Sequence, residues 1–180
     1  INNTGQLGNA STTSNSSVPL AVSGGLTFAT VSAGDGQTCG VTPAGTAYCW
    51  GYNSFGQLGD SSTTKRTTPV AVSGGLAYVS VSAGYVHSCG VTTAGAAYCW
   101  GNNVFGQLGN GSTTSSTSPV AVSGGPSFAT VSAGDMHSCG TTPAGAAYCW
   151  GSNSYGQLGN GSTTSSSSPA AVSGGLTFVA

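Results

Sequence analysis

Apolar residues occur in short runs that alternate with glycine and with long polar stretches. In the central part of the chain, the runs Leu76–Gly84, His87–Thr92 and Ala97–Gly101 are rich in β-branched and aromatic residues. A fourth run, Pro119–Val122, follows a stretch of Ser and Thr. Short segments of this composition, separated by glycine, are typical of strands. Because no segment has the 3.6-residue period of an amphipathic helix, the pattern predicts an all-β chain.

These four segments recur along the chain. Pairs of cysteines spaced ten apart return every 50 residues, and the other elements return with them. Four strands in about 50 residues is the size of a β-propeller blade, in which each unit buries its apolar face against the next copy. We therefore predict three full blades of four antiparallel strands, with partial blades at both ends. The predicted boundaries are 1–26 (a loop and a fourth strand at Val18–Val22), 27–75, 76–125, 126–175 and 176–180 (a first strand).

The cysteine pairs fall on a predicted hairpin. If the chain turns at Pro43-Ala44-Gly45, Cys39 faces Cys49 on the neighbouring strand. Proline favours the first position of such a turn, and glycine supplies the left-handed conformation that the turn requires. Opposed β carbons are close enough for a disulfide. The sequence predicts one bridge within each unit, between Cys39 and Cys49, Cys89 and Cys99, and Cys139 and Cys149.

Two alternatives to disulfides remain open on the sequence. The cysteines could be buried free thiols, or they could bind metal with the histidines of the His-Ser-Cys triplets at 87–89 and 137–139. Zinc sites usually combine four ligands at closer spacings, and Gln37 replaces the histidine in the first unit. Even and regular cysteine usage favours disulfides and an oxidising compartment. We expect no bound metal and no cofactor.

The charge composition restricts the classes of function. Charged residues make up 3% of the 180 residues, and Lys65 and Arg66 are the only basic ones. Binding to nucleic acids or to anionic membranes normally requires clustered basic residues, so we expect neither. No apolar run approaches the roughly 18 residues of a spanning helix, and no signal core precedes the repeats. We expect a soluble chain, either mature or excised from a longer protein.

The polar loops contain sequons for N-glycosylation, which fit an extracellular location. Such triplets also arise by chance in a chain rich in Asn, Ser and Thr, so their weight is small. The candidate acceptors are Asn2, Asn9, Asn15, Asn110 and Asn160.

The repeated motifs resemble those of one known family. The segment Cys99–Gly111 is similar to one half of the signature of the regulator of chromosome condensation repeat, and Val81–Ser88 resembles the other half. The motifs occur in three units, with a partial copy at Gly5–Gly8, so the resemblance covers nearly the whole chain. It implies a β-propeller, most often seven-bladed in this family.

The resemblance implies two different kinds of function. The family's eukaryotic founder is a nucleotide-exchange factor for a small GTPase at chromatin, whereas secreted relatives include propellers that inhibit β-lactamases through their face loops. Paired cysteines and almost no charge fit neither nuclear redox conditions nor histone or DNA binding. The secreted relatives are therefore the closer analogy, although likeness of fold alone does not transfer function.

The recurring large residues are expected to pack between blades. Each unit contains one tryptophan and one leucine within a Gly-Gln-Leu-Gly motif, and we expect both side chains to point into the core. His87 and His137 recur at one position, which favours a structural hydrogen bond over a catalytic base, and the few carboxylates form no evident acid–base pair. We expect no catalytic residues and no enzyme activity. The predicted packing residues are Trp50, Trp100, Trp150, Leu58, Leu108 and Leu158.

These features predict a non-catalytic extracellular or cell-surface scaffold for adhesion, protein binding or structural assembly. Its partners are expected to be proteins, glycans or further copies of the chain, since open strand edges can pair into a filament or surface layer. The alternative is a soluble propeller that regulates a protein, as an enzyme inhibitor or an exchange factor. Because long loops on rigid scaffolds commonly carry recognition, the first candidate binding surface is the long connection between third and fourth strands, with Lys65 and Arg66. The second is the bend after each first strand, which differs between units, with Asp35, Tyr85 and Asp135.

Overall fold

The computed structural model describes residues 1–13 and 15–178. Within these residues it contains strands and turns but no helix, and so no helix that could cross a membrane. Twelve strands form three four-stranded antiparallel sheets, and each sheet follows the order of the chain. The predicted all-β fold with three blades of four strands is confirmed.

The first strands of the three sheets lie beside one another, and the fourth strands form the outer edges. In chain order the strands are β1 (Thr30–Ala33), β2 (Gln37–Val41), β3 (Ala47–Gly51), β4 (Arg66–Ala71), β5 (Tyr78–Ala83), β6 (His87–Thr92), β7 (Ala97–Gly101), β8 (Ser116–Ala121), β9 (Thr130–Ala133), β10 (His137–Thr141), β11 (Ala147–Gly151) and β12 (Ser166–Ala171).

The central hairpin of each sheet has the predicted register. Cys39 on β2 lies opposite Cys49 on β3, their Cα atoms are 4.1 Å apart, and the two form a disulfide. Gly45 closes the turn between them with a φ of 84°, a conformation that glycine adopts without strain. The other two units repeat this hairpin, so the predicted pairing within units is confirmed by the bridges Cys89–Cys99 and Cys139–Cys149.

Two predicted terminal strands are not strands in the structure. Val18–Val22 has no regular secondary structure. A fourth strand pairs with the third strand of its own sheet, and among the described residues no third strand pairs with this segment. Residues 176–178 also form no strand, although Phe178 N donates to Gly145 O at 2.9 Å. Val179 and Ala180, the end of the predicted strand 176–180, lie outside the described residues.

Neighbouring units are joined by the same contacts at both boundaries. Trp100 Nε1 and Ser88 Oγ of the second unit both donate to Gln57 O of the first unit, each at 2.9 Å. The indole of Trp100 packs into the core of the first unit beside Leu58, and both side chains are completely buried. The third unit repeats the arrangement on the second, with Trp150, Ser138, Gln107 and Leu108.

The tryptophans also pack within their own units. Tyr78 lies edge-on to Trp100, with ring centroids 6.0 Å apart, and covers Gly90 on β6. A Cβ atom at Gly90 would lie 2.8 Å from the tyrosine ring, so the missing side chain makes room for this contact. The six predicted packing residues, Trp50, Trp100, Trp150, Leu58, Leu108 and Leu158, are all buried. Each unit therefore depends on its neighbour for part of its core.

Candidate functional site

Two sets of connections between strands meet at one end of the three sheets. We call the surface at this end the loop face. One set is the bends between first and second strands, and the other is the turns that follow the third strands. The segment 1–8 forms an equivalent turn on the same face, where Thr4 Oγ1 donates to Gly36 O at 3.0 Å. The bends cover 34–36, 84–86 and 134–136, and the turns cover 52–59, 102–109 and 152–159.

A buried asparagine holds each turn of the loop face. Asn53 Oδ1 accepts a hydrogen bond from Leu58 N at 2.9 Å, while its Nδ2 donates to the carbonyl oxygens of Ser62 and Thr64 at 3.1 and 3.0 Å. One amide thus fixes both the turn and the long polar loop behind it. The same bond to a leucine N–H is made by Asn2, Asn103 and Asn153.

A cavity of about 500 Å³ opens on the loop face between the first and second units. Its walls come from the bends at 35–36 and 85–86, from the turns that begin at Tyr52 and Asn102, and from residues 1–6. Ligand sites on proteins are usually concave, mostly apolar and about 300–1,000 Å³ in volume. The size and position of this cavity therefore make it the main candidate site.

The cavity is lined by aromatic and aliphatic side chains that remain partly open to solvent. Tyr52 and Phe55 contact each other edge to face, with ring centroids 6.3 Å apart. Tyr85 faces the same cavity from the next bend and is 45% exposed, and Val104 is 58% exposed. Exposed apolar residues grouped in a concave surface are typical of binding sites.

Several polar side chains of the cavity are hydrogen-bonded within the protein. Gln6 Oε1 accepts from Thr4 Oγ1 at 2.6 Å, and Asn102 Oδ1 accepts from Gln107 Nε2 at 2.9 Å. The carboxylate of Asp35 differs, because it is exposed and has no hydrogen bond or ion pair among the described residues. It is the charged side chain that the cavity offers to a ligand.

The five predicted binding residues fall on different surfaces. Asp35 and Tyr85 line the cavity together. Asp135 is exposed on the third bend, outside the cavity wall, although its neighbour Met136 belongs to that wall. Lys65 and Arg66 lie elsewhere, at the end of the polar loop that leads into β4.

Arg66 forms an ion pair with Asp60 across this polar loop. The distance from Arg66 Nη2 to Asp60 Oδ2 is 2.8 Å, and the side chains are 40% and 2% exposed, respectively. Burial opposes the charge of Asp60, but hydrogen bonds from Ser62, Arg66 and Asn53 outweigh it and lower the pKa of Asp60. The pair therefore orders the loop, and Lys65 is exposed beside it.

Burial rules out one candidate glycosylation position. Asn2 is completely buried, and its Nδ2, the atom that would carry a glycan, donates to Ser11 O at 2.9 Å. The prediction for Asn2 is corrected, because the Asn-x-Ser/Thr pattern carries no information about burial. The other candidates, Asn9, Asn15, Asn110 and Asn160, are partly or largely exposed.

The histidines lie at the boundaries between units. His87 is completely buried, and its Nε2 is 2.8 Å from Ser138 Oγ. Burial, together with the nearby His137, lowers the pKa of His87 to about 3, so this ring is neutral at physiological pH. Among the described residues, no group of three or more His, Cys, Asp or Glu side chains is placed to hold a metal ion.

Sequence reasoning missed three residues that form much of the cavity, Tyr52, Phe55 and Val104. They stand within the segment that was interpreted as a packing motif, but their side chains point out of it. A signal was present, because position 55 and its equivalents, Phe105 and Tyr155, are aromatic in every unit while tryptophan and leucine already supply the packing. All three rings are exposed on the loop face.

Family comparison agrees with the observed repeats. The profile of the regulator of chromosome condensation (RCC1) repeat matches residues 44–91, 94–140 and 144–179. A second profile with the same description matches residues 28–57, 78–107 and 128–157. A comparison with curated proteins finds no match.

Solved structures share the fold at low sequence identity. Yeast RCC1 (Prp20), solved bound to Kap60, is 22% identical, with a TM-score of 0.73 over 82% of this chain and 37% of that chain. Human WBSCR16 is 21% identical, with a TM-score of 0.82 over 95% and 45% of the two chains. The ectodomain of the Physcomitrella patens receptor kinase CR4 is 24% identical, with a TM-score of 0.51 over 75% and 32%. The chain spans less than half the length of these proteins.

Proposed function

Because this chain belongs to the regulator of chromosome condensation (RCC1) repeat family, we propose that it is a non-catalytic scaffold that binds a protein partner. Its proposed location is extracellular or at the cell surface, and its proposed binding surface is the loop face. The observation that carries the proposal is the cavity between the first two units, where exposed aromatic side chains surround an unpaired carboxylate. Enzyme activity forms no part of this proposal.

The rigidity of the loop face supports a binding role. Asn53 and Asn103 hold the two cavity turns through several hydrogen bonds each. Gly56 and Gly59 press the first of these turns against the next unit, since a Cβ on either would lie within 2.8 Å of Thr117 or Trp100 atoms. A surface ordered before binding loses little conformational entropy when a partner docks.

The proposed location rests on the disulfides. All six cysteines are paired, and bridges of this kind persist in oxidising compartments and are rare in the cytosol. The Physcomitrella patens neighbour is a receptor-kinase ectodomain, so the fold is compatible with an extracellular setting. Isolating the protein from its source under thiol-blocking conditions tests the location. An extracellular protein is expected to carry no blocked cysteine, whereas a cytosolic protein is expected to carry six.

Protein partners are favoured by the relatives and by the outer strands. Prp20 was solved bound to the protein Kap60. Assembly of copies through strand edges is less favoured, because each outer strand contains a proline and joins its sheet across a bulge. Proline removes a donor that edge pairing would need. The prolines are Pro69, Pro119 and Pro169.

Site-specific photo-cross-linking tests the proposal. A cross-linking amino acid at Val104, on the loop face, is compared with one at the exposed Thr93, in the hairpin at the opposite end of the sheets. With the secreted proteins of the source, we expect an adduct from position 104 that excess unlabelled protein removes, and none from position 93. Equal adducts from both positions, or none that competes, would overturn the proposal. Filaments in electron micrographs would instead favour assembly.

A further inference from the structure

The cavity on the loop face presents aromatic rings and a negative charge to the same ligand. Tyr52 and Phe55 form one wall, Tyr85 forms another, and Asp35 lies on the bend between them. Aromatic faces attract cations because their π-electrons give the face a partial negative charge. Rings and carboxylate therefore favour the same kind of group, a cation attached to an apolar stem.

Among the described residues, no lysine or arginine side chain neutralises this site. Arg66 is paired with Asp60, and neither Arg66 nor Lys65 lines the cavity. Ile1 contributes to the cavity wall, and its amino group forms no ion pair with Asp35 among the described residues. A concave surface lined by one sign of charge concentrates its field on the ligand. The electrostatic complement must come from the partner.

We propose that this cavity binds an arginine side chain of the partner protein. The guanidinium group pairs with the Asp35 carboxylate and stacks on the tyrosine and phenylalanine rings, while the aliphatic stem covers Val86 and Val104. Arginine fits better than lysine, because a guanidinium is planar, stacks on aromatic faces, binds carboxylates in a two-pronged way and is less strongly hydrated. This inference rests on the proposed function, since it specifies what the partner presents.

The volume of the cavity agrees with such a ligand. About 500 Å³ holds an arginine side chain together with backbone on either side of it. Backbone groups of the ligand would lie near Asn3 and Thr4, which contribute to the wall and are partly exposed. The site is therefore suited to an extended segment that carries arginine.

Two peptides of nearly the same shape, one charged and one neutral, test the inference. The probes are acetyl-Gly-Arg-Gly-amide and the same peptide with citrulline, which keeps the shape of arginine and lacks its charge. In ¹H–¹⁵N NMR titrations of the whole chain, we expect the arginine peptide to shift the amides of Gly36, Val86 and Val104 in a saturable way. The citrulline peptide is expected to bind about fivefold more weakly or worse.

Matched variants complete the test. Asp35→Asn is expected to reduce binding of the arginine peptide to the level of citrulline, whereas Asp135→Asn, at the equivalent bend outside the cavity, is expected to leave it unchanged. Equal binding of the two peptides, stronger binding of a lysine peptide, or no effect of Asp35→Asn would overturn the inference. If neither peptide binds but the cross-link at position 104 still forms, the ligand class is wrong and the proposed function stands. If neither peptide binds and no cross-link forms, both the inference and the proposed function are wrong.

Discussion

His87 Nε2 lies 2.8 Å from Ser138 Oγ, across the boundary between the second and third units. Ser138 Oγ uses its own proton to donate to Gln107 O at 2.9 Å, so it must accept from the histidine. His87 therefore carries its proton on Nε2, and its Nδ1 is buried without a partner. A neutral ring thus connects two units through one hydroxyl group.

The neutrality of His87 predicts an acid-sensitive fold. Its pKa is about 3 when folded and near 6.5 when unfolded. Between these values the unfolded chain binds a proton that the folded chain does not, so stability falls as the pH decreases below 6.5. A fall from pH 6.5 to pH 5 should cost roughly 1.5 kcal/mol, because the slope reaches about 1.36 kcal/mol per pH unit only well below the unfolded pKa.

Replacement of His87 by glutamine isolates this effect, because the equivalent Gln37 is already buried in the first unit. Urea unfolding at pH 6.5 and 5 measures the free energy of unfolding. The loss is expected to disappear in His87→Gln and to persist largely in His137→Gln, since His137 is only partly buried. If the free energy of unfolding of His87→Gln still falls between pH 6.5 and pH 5 as in the unmodified protein, His87 is not the cause of the acid sensitivity.

The contact between Gly59 and Trp100 predicts a second effect on stability. Gly59 has a φ of 71°, and an added Cβ would lie 2.8 Å from the indole ring. Gly59→Ala should therefore combine backbone strain with a clash in the core, at a cost of about 3 kcal/mol or more. Gly74 is the matched control, because its φ is 93° and nothing lies within 4 Å of its Cβ position.

Gly74→Ala should cost about 1–2 kcal/mol, which reports the backbone strain alone. The free energy of unfolding in urea measures both variants. Equal losses would contradict the predicted clash, because they would mean that the added methyl group fits beside the tryptophan at no cost.

The three disulfides predict a graded loss when they are removed one at a time. Each bridge joins cysteines ten residues apart and restricts the unfolded chain to the same extent. The stability lost through this entropy effect, about 2–3 kcal/mol, is therefore the same for all three bridges. Burial differs, because Cys89 and Cys99 are fully buried while Cys139 is partly exposed.

The double variant Cys89→Ala/Cys99→Ala should therefore lose more stability than Cys139→Ala/Cys149→Ala, since it also leaves a cavity in the core. Thermal unfolding of both under oxidising conditions gives the comparison. A larger loss from the third bridge would contradict this reasoning.

Local patterns predicted the sheets, whereas the cavity depends on contacts between units. The opposition of Cys39 and Cys49 follows from strand alternation and turn chemistry, which act over a few residues. The meeting of Tyr52 with Tyr85 depends on how the first unit docks on the second, which no local pattern encodes. The segment Val18–Val22 shows the same limit, because its strand-like sequence pairs with no strand in the part of the chain that the structure describes.

The ion pair between Asp60 and Arg66 leads to the last prediction. The second unit has Asn110 and Ser116 at the equivalent positions, so the chain itself contains the uncharged form of this loop. A double-mutant cycle of Asp60→Asn and Arg66→Ser should give a coupling of about 0.5–1 kcal/mol, because Arg66 is 40% exposed and water screens the pair.

The coupling is expected to require an ionised Asp60, whose pKa is lowered in the folded state. The stability that the pair contributes should be present above the pKa of about 3.9 of an unfolded aspartate, and it should be lost as the pH falls through the lower folded value. Urea unfolding of the four proteins at pH 7, in low and high salt, measures the coupling. A coupling of zero in low salt would mean that Asn53 and Ser62 alone order the loop.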